Sequence, residues 1–127
     1  MIREAALMNS DRTVYSVIVP LYNEEAVVQD SYKRIREVMD TTGESYEIIF
    51  VNDGSRDSTY EKVREILKND KNVRLISFSR NFGHQSAITA GMDHCTGQAV
   101  IVIDADLQDP PEVMLKMIEK WKEGYEV

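Results

Sequence analysis

An α/β domain built on a mostly parallel sheet follows from three features of this 127-residue sequence. Four short runs are almost wholly apolar and rich in β-branched residues, as strands buried on both faces are. The stretches between them carry apolar residues at the 3.6-residue period of a helix. The two kinds alternate along the chain, and such alternation with short links gives parallel strands sandwiched between helix layers.

The elements are read in order. Residues 1–12 are expected to be a loosely held tail, and residues 13–127 a single domain. The first strand is read at Val14 to Val19, and the helix after it carries Val28, Tyr32, Ile35, Val38 and Met39 on one face. Asn23 is expected to cap that helix, with Glu24 and Glu25 in its first turn, where negative charge suits the positive helix end. The second strand is Tyr46 to Val51. Its helix buries Val63, Ile66 and Leu67, and opens with a capping box between Ser58 and Glu61. The third strand is Val73 to Phe78, followed by a helix whose Ala87, Ala90 and Gly91 permit close approach to neighbours. The fourth strand is Ala99 to Ile103. Asp109 is then expected as N-cap with Pro110 at the first helical position, before a buried stripe of Val113, Met114, Met117, Ile118 and Trp121.

Composition bounds the function. Apolar residues make up 43% and charged residues 29% of the chain, ordinary values for a globular domain that folds without disulfides. The formal charge of -7, from 15 basic and 22 acidic residues, argues against a nucleic-acid-binding surface. Cys95 is the only cysteine, so no internal disulfide forms and a reducing compartment suits the chain. No run approaches the roughly 20 apolar residues of a membrane span. The chain therefore reads as cytoplasmic.

In open parallel sheets ligands sit beyond the carboxyl ends of the strands. After the first strand, Pro20 and Tyr22 offer a rigid bend and an aromatic face for a planar base. No glycine occurs before Gly43, which disfavours a dinucleotide fold, and no phosphate-loop motif is present. After the second strand, Asp53 can accept from an imino N–H, which uracil, thymine and guanine possess. After the third, Arg80 is placed to meet an anionic phosphate. His84 has no His or carboxylate at metal-ligand spacing near it in sequence. After the fourth comes Asp104-Ala105-Asp106-Leu107-Gln108-Asp109. If the backbone stays extended there, its period of two aims Asp104, Asp106 and Gln108 to one side. Three hard oxygen ligands suit Mg²⁺ or Mn²⁺, whose shells are completed by water and substrate phosphate. A receiver domain is the rival of similar size, but it needs a phosphorylatable Asp ending the third strand, where Ser77-Phe78-Ser79-Arg80 stands. A non-catalytic nucleotide-binding module is the other alternative.

Together, Pro20 to Glu24, Val51 to Thr59, Arg80 to Gly91 and Asp104 to Glu112 resemble family 2 glycosyltransferases of the Rossmann-like GT-A fold. Arg80-Asn81-Phe82-Gly83 and Asp104 to Glu112 look like the branch that glycosylates polyprenyl phosphates. The resemblance implies a UDP- or GDP-sugar donor, Mg²⁺ or Mn²⁺, inversion at the anomeric carbon, and a polyprenyl phosphate or glycan acceptor. It implies that Pro20, Tyr22 and Glu24 border the nucleotide, that Asp53 bonds the base, and that Asp104 contacts the ribose or the metal shell. Asp106 and Gln108 would hold the metal. The family's catalytic base and acceptor half come from segments beyond Val127, so the expectation is a truncated domain that binds donor and metal, works at the cytoplasmic membrane face and is open to self-association.

Overall fold

The structure is a computed structural model that describes residues 2–4, 13–106, 110 and 112–124. It contains strands β1 (Ile2–Glu4), β2 (Tyr15–Leu21), β3 (Tyr46–Asn52), β4 (Val73–Ser77) and β5 (Ala99–Val102). Helices α1 (Val28–Asp40), α2 (Thr59–Asn69), α3 (His84–His94) and α4 (Val113–Lys122) lie between and after them.

The sheet order is β1-β5-β2-β3-β4. Strands β5, β2, β3 and β4 are mutually parallel, with Tyr15 of β2 opposite both Tyr46 and Ala99. This is the parallel α/β architecture expected. The chain steps outward from β2 through β3 to β4, and α3 then carries it back to β5 on the far side of β2. The carboxyl ends of β2 and β5 thus flank the point where strand order reverses, the usual place for a ligand crevice.

One addition lies in the expected tail. Ile2–Glu4 pairs antiparallel with β5, Ile2 opposite Ile101. An edge strand is held by backbone hydrogen bonds, so it need not carry the apolar pattern by which buried strands are recognised.

Side-chain alternation splits the core between two faces. Val17, Val19, Ile48, Phe50 and Ile101 pack with Ile35 and Met39 of α1, Val63 of α2, and Met114 and Ile118 of α4. Ile18, Ile49, Val51 and Val100 point the other way, against Ala87 of α3. Most of the expected helix stripe residues are buried; Tyr32, Leu67, Met117 and Trp121 are partly buried against the same core, Val113 is half-buried outside it, and Trp121 packs edge-on against Tyr15 at 5.8 Å between ring centres. Gly91 matters for the closeness of α3: a Cβ there would lie 2.6 Å from Cγ2 of Ile18.

The helix starts differ from expectation. Ser58 makes no side-chain cap bond. Asp57 takes that role, its Oδ1 accepting from the Thr59 amide at 3.0 Å and from the Thr59 hydroxyl, because a carboxylate is the stronger acceptor in the same turn. Asn23 does not cap α1, which begins at Val28; its Oδ1 accepts from the Arg56 amide instead. Helix α4 starts at Val113, not Pro110, since the Val113 amide closes a turn onto the Pro110 carbonyl. The expected cap Asp109 lies outside the described residues.

Candidate functional site

Pro20, Leu21, Tyr22, Glu24, Asp53, Asn81, Gly83, His84, Ala87, Asp104, Ala105 and Asp106 surround an open cleft of ≈ 410 Å³ at the strand-order reversal. Six of the site residues read from sequence meet there: Pro20, Tyr22, Glu24, Asp53, Asp104 and Asp106.

The β2–α1 loop forms one wall. Tyr22 is 43% exposed, an aromatic face open to the cleft. Its neighbours are fixed by the β3–α2 loop: the Asn23 amide donates to Ser55 Oγ at 2.9 Å, the Glu24 amide to Thr59 Oγ1 at 2.9 Å, and the Glu25 amide to Asp57 Oδ2 at 3.2 Å. The Ser58 amide in turn donates to Glu25 Oε2. Asn23 adopts a φ of 53°, the left-handed conformation that asparagine tolerates better than most residues. Glu24 is half-buried, and its carboxyl is pushed up by desolvation and then by the charges of Asp106, Asp104 and Asp57.

The facing wall follows β5. Ala105 is buried at 1% exposure, and its carbonyl accepts from the Ser31 hydroxyl of α1. Asp104 and Asp106 on either side are exposed. The backbone does not stay extended, as a period of two would require: Ala105 and Asp106 enter a turn. Burial of the small Ala105 nevertheless leaves both carboxylates lining the cleft. Gln108, the third oxygen ligand expected from sequence, lies outside the described residues.

Asp53, just past the end of β3, is 3% exposed. Its Oδ1 accepts from the Phe82 amide at 2.7 Å, and its Oδ2 from the Gly83 amide at 3.0 Å and the Asn81 side chain at 3.1 Å. Arg80 is set apart: it does not line the cleft, and its guanidinium lies 4.7 Å over the Phe82 ring. His84, which has no suitable partner near it in sequence, has one in space, its Nε2 lying 3.9 Å from Asp104 Oδ1. Asn81, Gly83 and Ala87 line the cleft without having been read individually as site residues: the first two were noted only within the Arg80-Asn81-Phe82-Gly83 motif, and Ala87 only as a small residue of α3.

Among the described residues no group of three His, Cys, Asp or Glu side chains could hold a metal ion unaided. Asp104 and Asp106 lie near enough to Glu24 for their charges to add to the effect of its burial, and carboxylate oxygens are the donor type that hard divalent cations prefer.

The sequence pattern of the family described as glycosyl transferase family 2 matches residues 16–127. The chain belongs to this family. A receiver domain is thereby excluded. This family 2 chain is 64% identical over 113 residues to the glycosyltransferase YkcC of Bacillus subtilis, covering 89% of the chain and 35% of that protein. It is 47% identical over 109 residues to the bactoprenol glucosyl transferase of Shigella phage SfX, covering 86% of the chain and 36% of that protein. Among solved structures, the mannosyltransferase of Pyrobaculum calidifontis in complex with GDP-Man and Mn²⁺ superposes with a TM-score of 0.71 at 25% identity, over 85% of this chain and 32% of that one. The fold is GT-A. The chain spans about a third of the length of the curated relatives it matches. Among the described residues no helix is long and apolar enough to cross a membrane.

Proposed function

We propose that this chain is the donor-binding part of a family 2 glycosyltransferase that takes a UDP- or GDP-sugar and transfers the sugar, with inversion, to a polyprenyl phosphate at the cytoplasmic membrane face. The observation that carries this reading is the gathering of Asp104 and Asp106 with Tyr22, Glu24 and Asp53 around one cleft. The mannosyltransferase that shares the fold is a complex with GDP-Man and Mn²⁺, and a 47% identical relative is named for a bactoprenol acceptor.

In this reading Tyr22 and Pro20 border the base, and the free acceptor position on Asp53 takes its imino N–H. Arg80 reaches the phosphates only by leaving the Phe82 ring. Asp104, Asp106 and Gln108 hold Mg²⁺ or Mn²⁺, which supplies positive charge for the departing nucleoside diphosphate. Without that cation the like charges of Asp104, Asp106 and Glu24 repel the diphosphate. The base that activates the acceptor is assigned to segments outside this chain.

Thermal unfolding with UDP- and GDP-sugars, with and without Mn²⁺, tests the proposal. A ligand at about 100 times its Kd adds ~2.7 kcal/mol, on the order of 8 °C in Tm for a domain of this size. The expected shift requires Mn²⁺ and is lost in Asp106→Ala, whose apo Tm stays within about 2 °C of the parent because the side chain is exposed. Equal shifts with and without metal, or in parent and variant, would overturn the metal role.

A further inference from the structure

The loop from β4 to α3 has ring contacts of its own, Phe82 lying edge-on to Phe78 at 5.5 Å and under the Arg80 guanidinium at 4.7 Å, but few backbone bonds. Outside helices and strands, and among the described residues, no backbone hydrogen bond to another backbone group is donated by any residue from 79 to 86. Helix α3 starts without a side-chain cap, on Gly83 at a φ of 108°. The loop's hydrogen-bonding anchor is Asp53. The carboxylate accepts from two consecutive backbone amides, Phe82 and Gly83, and from the Asn81 side chain, while the Asp53 carbonyl accepts from the same Asn81 amide at 3.3 Å. Next to it the two backbones touch: a Cβ on Gly54 would lie 2.2 Å from the Arg80 carbonyl carbon.

We infer that Asp53 is a positioning residue whose carboxylate fixes the β4–α3 loop and thereby sets Gly83, His84 and the first turn of α3 against the cleft. Hydrogen bonds to an ionised acceptor are about twice as strong as neutral ones, so one buried carboxylate can order a loop that lacks internal bonds. An ionised carboxylate offers about four acceptor positions. Three are filled here from within the chain, so contact with a base would use what remains. The relevance to ligand rests on the donor-site reading, but the loop-holding role does not.

The decisive variant is Asp53→Asn, which keeps size and shape and replaces one acceptor oxygen by an NH₂ that must face a backbone N–H. Amide hydrogen exchange at Phe82 and Gly83 is compared with that at Val17 and Ile18 in β2 of the same sample, so that any global destabilisation cancels in the ratio. Exchange at the two loop amides is expected to accelerate about tenfold relative to β2, in line with losing one charge-assisted bond. Asn81→Ala, which leaves the carboxylate in place and removes one of its donors, is expected to give a smaller acceleration at the same amides and serves if the first variant does not fold. The second measurement is calorimetric binding of Mn²⁺ with inorganic pyrophosphate, which has no base, beside Mn²⁺ with UDP. A positioning role weakens both by a similar factor in Asp53→Asn. Unchanged loop exchange, or weakening confined to UDP, would overturn the inference and leave Asp53 as a base contact alone. If the parent chain binds neither probe, the donor-site reading fails, and the exchange ratio still decides the role of Asp53.

Discussion

Glu47 sits in β3 between Tyr46 and Ile48 and is only 7% exposed. A carboxylate in that place costs several kcal/mol unless its oxygens are satisfied. Here they are: Oε2 accepts from the Ser16 hydroxyl at 2.6 Å, the Thr96 amide at 2.7 Å and the Thr96 hydroxyl at 2.9 Å, and Oε1 from Arg74 Nη1 at 3.0 Å. Ser16 Oγ also accepts from the Gly97 amide, so the network ties β2, β3 and β4 to the turn that follows α3. Desolvation alone would raise this carboxyl, but the bonds from Ser16, Thr96 and Arg74 outweigh it and hold it below its ordinary value of 4.5. A carboxyl depressed in the folded state stabilises the fold above its unfolded value, and that contribution is lost as pH falls through the folded one. Glu47→Gln is therefore expected to destabilise the chain by about 1–3 kcal/mol at neutral pH. In denaturant titrations across pH, the gap between parent and variant should close as pH drops below 4.5; a gap that widens toward acid would contradict the assigned charge state.

At the scale of elements, the cleft depends on how loops far apart in sequence hold one another. The β2–α1 loop reaches the β3–α2 loop through Asn23 to Ser55, Glu24 to Thr59 and Glu25 to Asp57, and Lys62 Nζ donates back to the Glu25 carbonyl. Thr59 is fully buried and links both loops, accepting from the Glu24 amide while donating to Asp57. Thr59→Val keeps shape but leaves the Glu24 amide without its acceptor, at a cost of about 1–3 kcal/mol. Its expected signature is local: faster amide exchange at Glu24 with protection in β4 preserved, and a loss of nucleotide-dependent stabilisation larger than the loss in apo Tm. Uniform acceleration throughout the chain would instead mark Thr59 as ordinary core. These contacts also explain what the sequence could and could not tell. Buried stripes such as Val28, Ile35 and Met39 follow from spacing within one helix, and the four core strands from local composition. The start of α2 did not, because the Ser58–Glu61 box competes with Asp57 in its own turn and with Glu25 from 33 residues away. Pro20, Tyr22, Glu24, Asp53, Asp104 and Asp106 were legible because strand ends converge in any parallel sheet. Asn81 and Gly83 were noted only as part of a motif, since the bonds they donate to Asp53 show only in space, and so does the 3.9 Å approach of His84 to Asp104.

The whole chain carries a formal charge of -7, and its cleft places Asp104 and Asp106 opposite Glu24. A diphosphate approaching this surface alone meets repulsion from both the near carboxylates and the distant surface charge, whereas a divalent cation meets attraction from both. Salt separates the two cases because the screening length shrinks from about 30 Å at ~0.01 M to about 10 Å at ~0.1 M, which removes the distant terms first. Over that range, Mn²⁺ alone is expected to bind roughly three- to fivefold more weakly as salt rises, and UDP without metal to bind more tightly, giving slopes of opposite sign in calorimetry. The ternary combination should vary least, since the cation and the diphosphate largely cancel each other's interaction with the net charge. A phosphate site built on basic side chains behaves the other way, with metal-free UDP weakening as salt rises. Arg80, held over Phe82 outside the cleft lining, gives no such site in the arrangement seen. A falling UDP affinity would mean that Arg80 swings into the cleft on binding, and repeating the titration with Arg80→Gln would then restore the rising slope.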